Sequence, residues 1–217
     1  MYFASRADAG KQLAKELSKY RFEDTVAVAL TDGGVVVGAQ IAAELHCPLM
    51  FLLMRDITLP GEISALGVVD QNGGFTYNDM FSAGELEGMT SEFHGFIEQE
   101  KMAKHHDINH LLGDGGLLDP AIILDRNVIL VADGLISGTS LLAAMSFLKP
   151  IRSKKVIIAS AFASVSAVDK MHLLGDELHV LSVYDGTFEL DHYFETNDVP
   201  SQDDIITTLN NAILKWK

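Results

Sequence analysis

The stretch that decides the fold covers residues 127–150, NVILVADGLISGTSLLAAMSFLKP. Its apolar run, residues 128–131, contains β-branched side chains without alternation and predicts a buried parallel strand. The strand is predicted to end at Ala132-Asp133-Gly134. A short loop, residues 135–140, then leads into an apolar-periodic helix that Pro150 closes. This order of strand, glycine-containing loop and helix predicts a ligand site beyond the end of the strand.

The residue types in this loop favour an anionic ligand. A helix that starts after a loop leaves unpaired backbone N–H groups and the positive end of its dipole facing outward. Ser137, Thr139 and Ser140 add hydroxyl donors, and Gly138 allows the backbone to approach a ligand closely. The pattern therefore predicts a phosphate site, with Asp133 at the strand tip placed to bind a sugar hydroxyl.

Residues 128–140, VILVADGLISGTS, resemble the ribose-phosphate signature of type I phosphoribosyltransferases. In that signature four hydrophobic residues precede two acidic ones, and a Thr/Ser-Gly-x-Thr/Ser loop follows. The resemblance implies that Asp133 holds the ribose hydroxyls of phosphoribosyl pyrophosphate (PRPP), although Ala132 replaces the first acidic residue. It also implies that five residues surround the 5-phosphate: Ile136, Ser137, Gly138, Thr139 and Ser140.

A second strand, residues 25–30, stops at Thr31-Asp32-Gly33-Gly34 before a predicted helix over residues 35–45. The resemblance implies that this loop holds pyrophosphate, yet Asp32 occupies a position where the most similar subgroup carries arginine. Asp32 could repel the pyrophosphate or bind its magnesium through water. The two glycines fit a tight strand-to-helix turn equally well. Arg55, after an apolar strand at residues 48–54, corresponds to a usual lysine and implies a cation near the pyrophosphate.

The sequence pattern in the middle of the chain predicts an insertion between strands of the main sheet. Residues 65–69 and 75–78 are predicted to form a hairpin, with Asn72-Gly73-Gly74 in its turn. Residues 79–118 are predicted to form a helical insertion and linker, helical over residues 82–106. Three histidines lie near its end: His105, His106 and His110. Histidines at this position are more typical of cationic side chains that interact with a helix C-terminus than of zinc ligands, so no metal site is predicted.

The two ends of the chain complete the predicted architecture. Ser5 is predicted to cap the first helix, which places Arg6 in a solvated first turn. A buried strand at residues 155–161, a helix capped by Ser166 and an edge strand at residues 177–183 follow. A final helix after Ser201 is predicted to cover one sheet face with four apolar residues: Ile205, Ile206, Leu209 and Ile213. The resemblance implies that the loop of residues 185–188, which leads to Tyr193, borders the pocket for the accepting base. Phe188 or Tyr193 could stack on a planar ligand there, but a core position is more usual for an aromatic residue at a strand end.

Together these elements predict one α/β domain over residues 1–217, a doubly wound and mostly parallel sheet flanked by helices. The net charge of −14, from 16 basic and 30 acidic residues, argues against nucleic-acid and membrane partners. Cys47 is the one cysteine, so no internal disulfide forms, and a buried thiol in a cytoplasmic protein is expected. The N-terminus shows no export signal pattern, which is a further reason to expect a cytoplasmic location.

Two functional hypotheses remain open on the sequence. The first is transfer of phosphoribose from magnesium-bound PRPP to a base with release of pyrophosphate, with Asp133 and Arg55 as the central residues. The alternative is a relative that binds a ribose 5-phosphate ligand for regulation and has lost the chemistry. A small-molecule phosphoribosyl ligand is expected in both cases, and relatives of this fold suggest a homodimer. No residue pattern identifies the accepting base.

Overall fold

The computed structural model of the chain describes residues 3–112, 120–184 and 190–214. Strands and helices alternate along these ranges. Their order is α1 (Arg6–Glu16), β1 (Thr25–Ala29), α2 (Asp32–Leu45), β2 (Leu49–Phe51), β3 (Met54–Ile57), β4 (Gly67–Asp70), β5 (Phe75–Tyr77), α3 (Ala83–Glu92), α4 (His94–Leu112), α5 (Pro120–Ile123), β6 (Asn127–Leu135), α6 (Thr139–Leu148), β7 (Lys155–Ser164), α7 (Val165–Leu174), β8 (Glu177–Tyr184) and α8 (Gln202–Leu214). Short 3-10 turns lie at Ser18–Tyr20 and Leu190–Tyr193.

The central sheet has five strands in the order β2-β1-β6-β7-β8, and all neighbouring pairs are parallel. Crossover helices connect these strands, so helices pack on both faces and the strands are buried from both sides. The predicted doubly wound α/β architecture is therefore confirmed. The strand predicted at the sheet edge is β8, which lies at one end of this order.

The side chains of β6 show how one strand contributes to two cores. Val128 and Leu130 belong to the core that includes residues of α6 and α7. Ile129 and Val131 belong to the opposite core, which contains residues of α1, α2 and α8. Because successive side chains of a strand point to opposite faces, Asp133 falls on the α1 and α2 side. This alternation determines which partners Asp133 can meet.

Two predicted boundaries at the site are wrong. The strand predicted to end near residue 131 continues to Leu135, because Ala132 and Leu135 still pair with Ser160 and Ala163 of β7. The helix predicted from residue 35 begins at Asp32. The Thr31 hydroxyl caps it by accepting a hydrogen bond from the Gly34 amide at 2.9 Å.

The prediction of a single strand over residues 48–54 is also wrong. It divides into β2, in the central sheet, and β3, which joins β4 and β5 in a separate antiparallel sheet. The predicted hairpin is confirmed as β4 and β5. Its turn is held by the Asp70 carboxylate, which accepts the amides of Asn72 at 2.8 Å and Gly74 at 2.9 Å. Gly73 has a φ of 78°, a conformation that favours glycine.

The region predicted to be helical over residues 82–106 contains helices, but their number and bounds differ from the prediction. Two helices, α3 and α4, replace the single helical stretch, and α3 begins with a capping box between Ser82 and Glu85. The second helix continues to Leu112 rather than ending near residue 106. The predicted linker at residues 113–118 lies outside the described residues.

The C-terminal part follows the prediction with two corrections. Ser164, not Ser166, caps α7 by accepting the Ala167 amide at 3.1 Å. On α8 Ile205 is buried as predicted, but Ile206 is 43% exposed because it lies off the packed face. Across the described ranges, no helix combines the length and apolar character needed to cross a membrane.

Cys47 gives a direct test of this core. The thiol is buried, as predicted, and burial raises its pKa to about 11. Because only the thiolate reacts, alkylation by iodoacetamide at about pH 8 should be at least about a hundredfold slower in the native protein than in urea. Mass spectrometry of timed samples measures both rates. Equal labelling in native buffer and in urea would contradict this packing.

Candidate functional site

Three residues, Ile136, Ser137 and Gly138, join β6 to α6 at the carboxyl end of the central strand. Gly138 is the N-cap of α6 and supplies no side chain to it, and in its first turn the Thr139 amide donates to the Ser137 hydroxyl at 3.4 Å. The hydroxyls of Ser137 and Thr139 lie 3.0 Å apart, and Ser164 donates to the Ile136 carbonyl at 2.8 Å. The loop thus presents donors of the kind that bind a phosphate.

A cavity of about 300 Å³ lies against this loop. Ser137, Thr139 and Ser140 line it on one side, and residues of β3, β4 and the hairpin line the other, with Asp56 and Asn78 as polar groups. Ile136 is also in its wall and is half exposed. Four of the five predicted phosphate-loop residues therefore lie together around one cavity: Ile136, Ser137, Thr139 and Ser140.

Asn78 is a site residue that the sequence analysis placed only in a hairpin arm. Its side-chain oxygen accepts the Thr139 hydroxyl at 3.1 Å and the Met80 amide at 3.1 Å. Its amide nitrogen donates to the Ala65 carbonyl at 2.8 Å. Asn78 therefore connects the hairpin sheet directly to the phosphate loop. A polar residue that ends an otherwise apolar hairpin arm was the signal in the sequence.

Asp133 does not line this cavity. Its carboxylate accepts a hydrogen bond from Arg6 Nε at 2.7 Å and one from the Thr31 hydroxyl at 2.6 Å. The Asp133 side chain is 5% exposed and that of Arg6 is 1% exposed. The prediction that Arg6 is solvated is wrong, because the first turn of α1 packs against the end of β6. Asp133 is thus paired inside the protein, and its ribose role stays a prediction.

The Arg6 guanidinium has further partners in the C-terminal segment. It forms ion pairs with Asp191 and Asp198 and donates to the side-chain oxygen of Asn197 at 3.1 Å. Its charge also lies over the Phe194 ring, 4.4 Å from the ring centre. Burial by itself would lower the pKa of Arg6. The hydrogen bonds and charges of Asp133 and Asp191 outweigh burial and raise the pKa, so the guanidinium stays charged.

The two glycines of the predicted pyrophosphate loop lie in the first turn of α2 and are buried. A Cβ at Gly33 would come within 2.0 Å of the Asp133 carboxylate and 2.5 Å of Arg6 Nε. A Cβ at Gly34 would lie 2.9 Å from the Val131 carbonyl oxygen. Both glycines therefore permit close packing of α2 on β6 and on the buried ion pair. A pyrophosphate role for them stays a prediction.

Asp32 and Arg55, the other predicted pyrophosphate residues, face each other. The Arg55 guanidinium lies 3.7 Å from an Asp32 carboxylate oxygen and donates to the Met54 carbonyl at 3.0 Å. Both side chains are partly exposed. The acidic residue at position 32 thus neutralises the cation at position 55.

The described residues do not gather three His, Cys, Asp or Glu side chains in a group that could hold a metal ion. His105 lies near the hairpin turn, 3.4 Å from the position that a Cβ of Gly73 would take. Both Asp133 oxygens already accept hydrogen bonds, and Asp32 is paired with Arg55. In this arrangement these carboxylates do not fit a magnesium site built by the protein.

The expected base pocket is only partly within the described residues. Residues 185–188, including Phe188, lie outside them. Tyr193 packs in an aromatic cluster, with its ring centre 5.1 Å from Phe162 and 5.3 Å from Tyr184. This half-buried position agrees with the core role that is more usual for an aromatic residue at a strand end.

Comparison with known proteins places this geometry in a family. Residues 3–185 match the phosphoribosyl transferase domain family. The chain belongs to this family. The match contains the phosphate loop, Arg6 and Asp133, whereas Asp191, Asn197 and Asp198 lie beyond it.

Relatives of known sequence and structure agree with this assignment. Two Mycobacterium tuberculosis proteins, MT0597 and Rv0571c, are provisionally named phosphoribosyl transferases and are 25% identical over 215 residues, 97% of this chain. The chain spans about half the length, 47%, of these relatives. The crystal structure of TT1426 from Thermus thermophilus superposes with a TM-score of 0.72 at 25% identity. That alignment covers 100% of this chain and 99% of TT1426.

The buried Arg6–Asp133 pair predicts a large stability effect. Arg6→Met should lower the free energy of unfolding by about 3–5 kcal/mol, because Asp133 would be left as a buried charge without its partner. Adding Asp133→Asn should recover part of this loss. Urea denaturation measures both. The matched control is Arg21→Met, since Arg21 forms an exposed pair with Glu44 and should cost less than about 1 kcal/mol. Equal losses for the two arginine variants would contradict the structural role of Arg6.

Proposed function

We propose that this member of the phosphoribosyl transferase family binds a ligand that carries a ribose 5-phosphate group. The phosphate would lie at Ser137, Gly138, Thr139 and Ser140, and the sugar would extend into the adjoining cavity. The supporting observation is the cavity of about 300 Å³ lined by the hydroxyl-bearing loop residues. Its volume falls at the lower end of the range for small-molecule sites, which suits a sugar phosphate.

The chemistry of the cavity walls supports this ligand class. Hydroxyl groups and first-turn amides at the start of α6 donate hydrogen bonds, and the helix dipole favours a negative charge there. Asp56 lines the opposite side of the cavity. An ionised carboxylate accepts hydrogen bonds only, so Asp56 suits the hydroxyl groups of a sugar. A phosphate at one end and hydroxyl groups at the other match a ribose 5-phosphate.

Transfer of the phosphoribosyl group from magnesium-bound PRPP to a base is the second candidate function, because family membership favours it. Asp133 would then hold the ribose hydroxyls, and Gly33, Gly34 and Arg55 would face the pyrophosphate. The protein would contribute positioning and charge stabilisation. Magnesium would arrive with PRPP as part of the substrate. Transfer would require the Arg6–Asp133 and Arg55–Asp32 pairs to open, so we infer that binding is more robust than turnover.

The loop hydroxyls give the first test of binding. We expect ribose 5-phosphate to bind the wild-type protein measurably in isothermal titration calorimetry. Ser137→Ala with Ser140→Ala should weaken binding by about tenfold or more, because hydrogen bonds to a charged group contribute about 1.5–3 kcal/mol each. Ser146→Ala, on an exposed position of the same helix α6, should leave affinity unchanged. Equal affinity in the double variant and in the wild type would contradict the placement of the phosphate.

The comparison of two ligands separates the candidate functions. Magnesium-bound PRPP should bind no more tightly than ribose 5-phosphate, since its pyrophosphate meets Asp32 and finds Arg55 already paired. We expect no pyrophosphate release when purine and pyrimidine bases are added, as measured by a coupled phosphate assay. Tight PRPP binding with pyrophosphate release from any base would instead establish the transferase.

A further inference from the structure

An ion pair lies directly beside the phosphate loop. The ammonium of Lys170, on α7, contacts the carboxylate of Asp79, which lies in the turn between β5 and α3. A Cβ built at Gly138 would lie 3.1 Å from the Asp79 carboxylate and 3.2 Å from Cγ and Cδ of Lys170. The absence of a side chain at Gly138 therefore leaves the space that both partners occupy.

This ion pair lies beside residues that line the cavity. Asn78 and Met80, on either side of Asp79, line the cavity, and so do Ser137 and Thr139, on either side of Gly138. The Asp79 carboxylate thus lies beside the start of α6, where the N-cap residue, Gly138, supplies no side chain. A carboxylate next to a helix N-terminus and an ammonium group reproduces the surroundings that a bound phosphate requires.

We propose that Lys170 binds the phosphate of the ligand, and that Asp79 takes the place of this phosphate when no ligand is bound. This inference rests on the proposed binding of a ribose 5-phosphate ligand at the same loop. Lys170 is 34% exposed and Asp79 is 16% exposed, so the pair is accessible to an anion from solvent. The long, flexible stem of lysine allows its charge to move from one anion to the other.

The exchange has a physical driving force. A phosphate monoester carries about −1.5 to −2 charges near neutral pH, more than the single charge of a carboxylate. It also offers three acceptor oxygens, which can use the ammonium and the helix amides together. Release of Asp79 would free the turn between β5 and α3, so binding at the loop is coupled to the position of this turn.

Substitutions of Lys170 and of Asp79 should change the affinity for ribose 5-phosphate in opposite directions. Calorimetry on the full chain measures this affinity. Lys170→Met should weaken binding by about tenfold, because a charge-assisted contact is lost. Asp79→Asn should strengthen binding by about tenfold, because the internal competitor loses its charge. The Lys170→Met effect should be larger in the Asp79→Asn background. A purely structural ion pair would weaken binding when either partner is changed.

Two charge-matched variants far from the loop serve as controls. Lys154→Met removes a cation that pairs with Glu23, and Asp125→Asn removes a carboxylate that pairs with Arg152. Both should leave affinity unchanged, and melting curves check that every variant is folded. If the loop serine variants weaken binding while neither Lys170→Met nor Asp79→Asn changes it, the role of Lys170 is overturned and the proposed ligand stands. If ribose 5-phosphate binds neither the wild type nor Asp79→Asn, the proposed function itself falls.

Discussion

The Arg6 guanidinium, removed from water and surrounded by carboxylates, is the interaction on which the arrangement of this site depends. A buried charge is tolerated only when other groups pair with it and satisfy its donors. Arg6 meets this requirement through Asp133, Asp191, Asn197 and Asp198, which come from the end of β6 and from the segment before α8. The pair therefore holds α1, the central strand and the C-terminal segment together. Asp191, Asn197 and Asp198 lie beyond the residues that match the family model.

The same pair divides the carboxyl end of the sheet into two unlike halves. Alternation along β6 directs Asp133 to the face of α1 and α2, where Arg6, Thr31 and Gly33 fill the space around it. The loop that follows β6 leads into α6 on the other face, and there a cavity stays open. The Asp133 side, to which the resemblance assigns the ribose, is thus closed by protein groups. The side of the loop before α6 remains accessible, and this difference supports the proposal of a monophosphate ligand over PRPP.

Local patterns were sufficient to predict the architecture and the glycine-containing loop between β6 and α6, because each depends on residues close together in sequence. The apolar run before Asp133, the hairpin turn at Asn72-Gly73-Gly74 and the loop glycine are all local signals. The burial of Arg6 could not be predicted in this way. Its capping position is typical of a solvated residue, and its partners are 127 to 192 residues away. Asn78 was missed for the same reason, since its bond to Thr139 spans 61 residues.

The cations at this end of the sheet show how such a site would select its ligand. Arg6 is paired with Asp133, Arg55 with Asp32 and Lys170 with Asp79, in a chain whose net charge is −14. An anion that approaches one of these three cations therefore has to displace a carboxylate from it. The free energy of binding is then the difference between two ion pairs, and weak or singly charged anions gain little. Displacement is easiest where the pair is partly exposed and hardest at Arg6, where both partners are buried. This ordering leaves Lys170 and Arg55 as the cations that an anion reaches most easily and makes Arg6, on the Asp133 side of the site, the least accessible of the three.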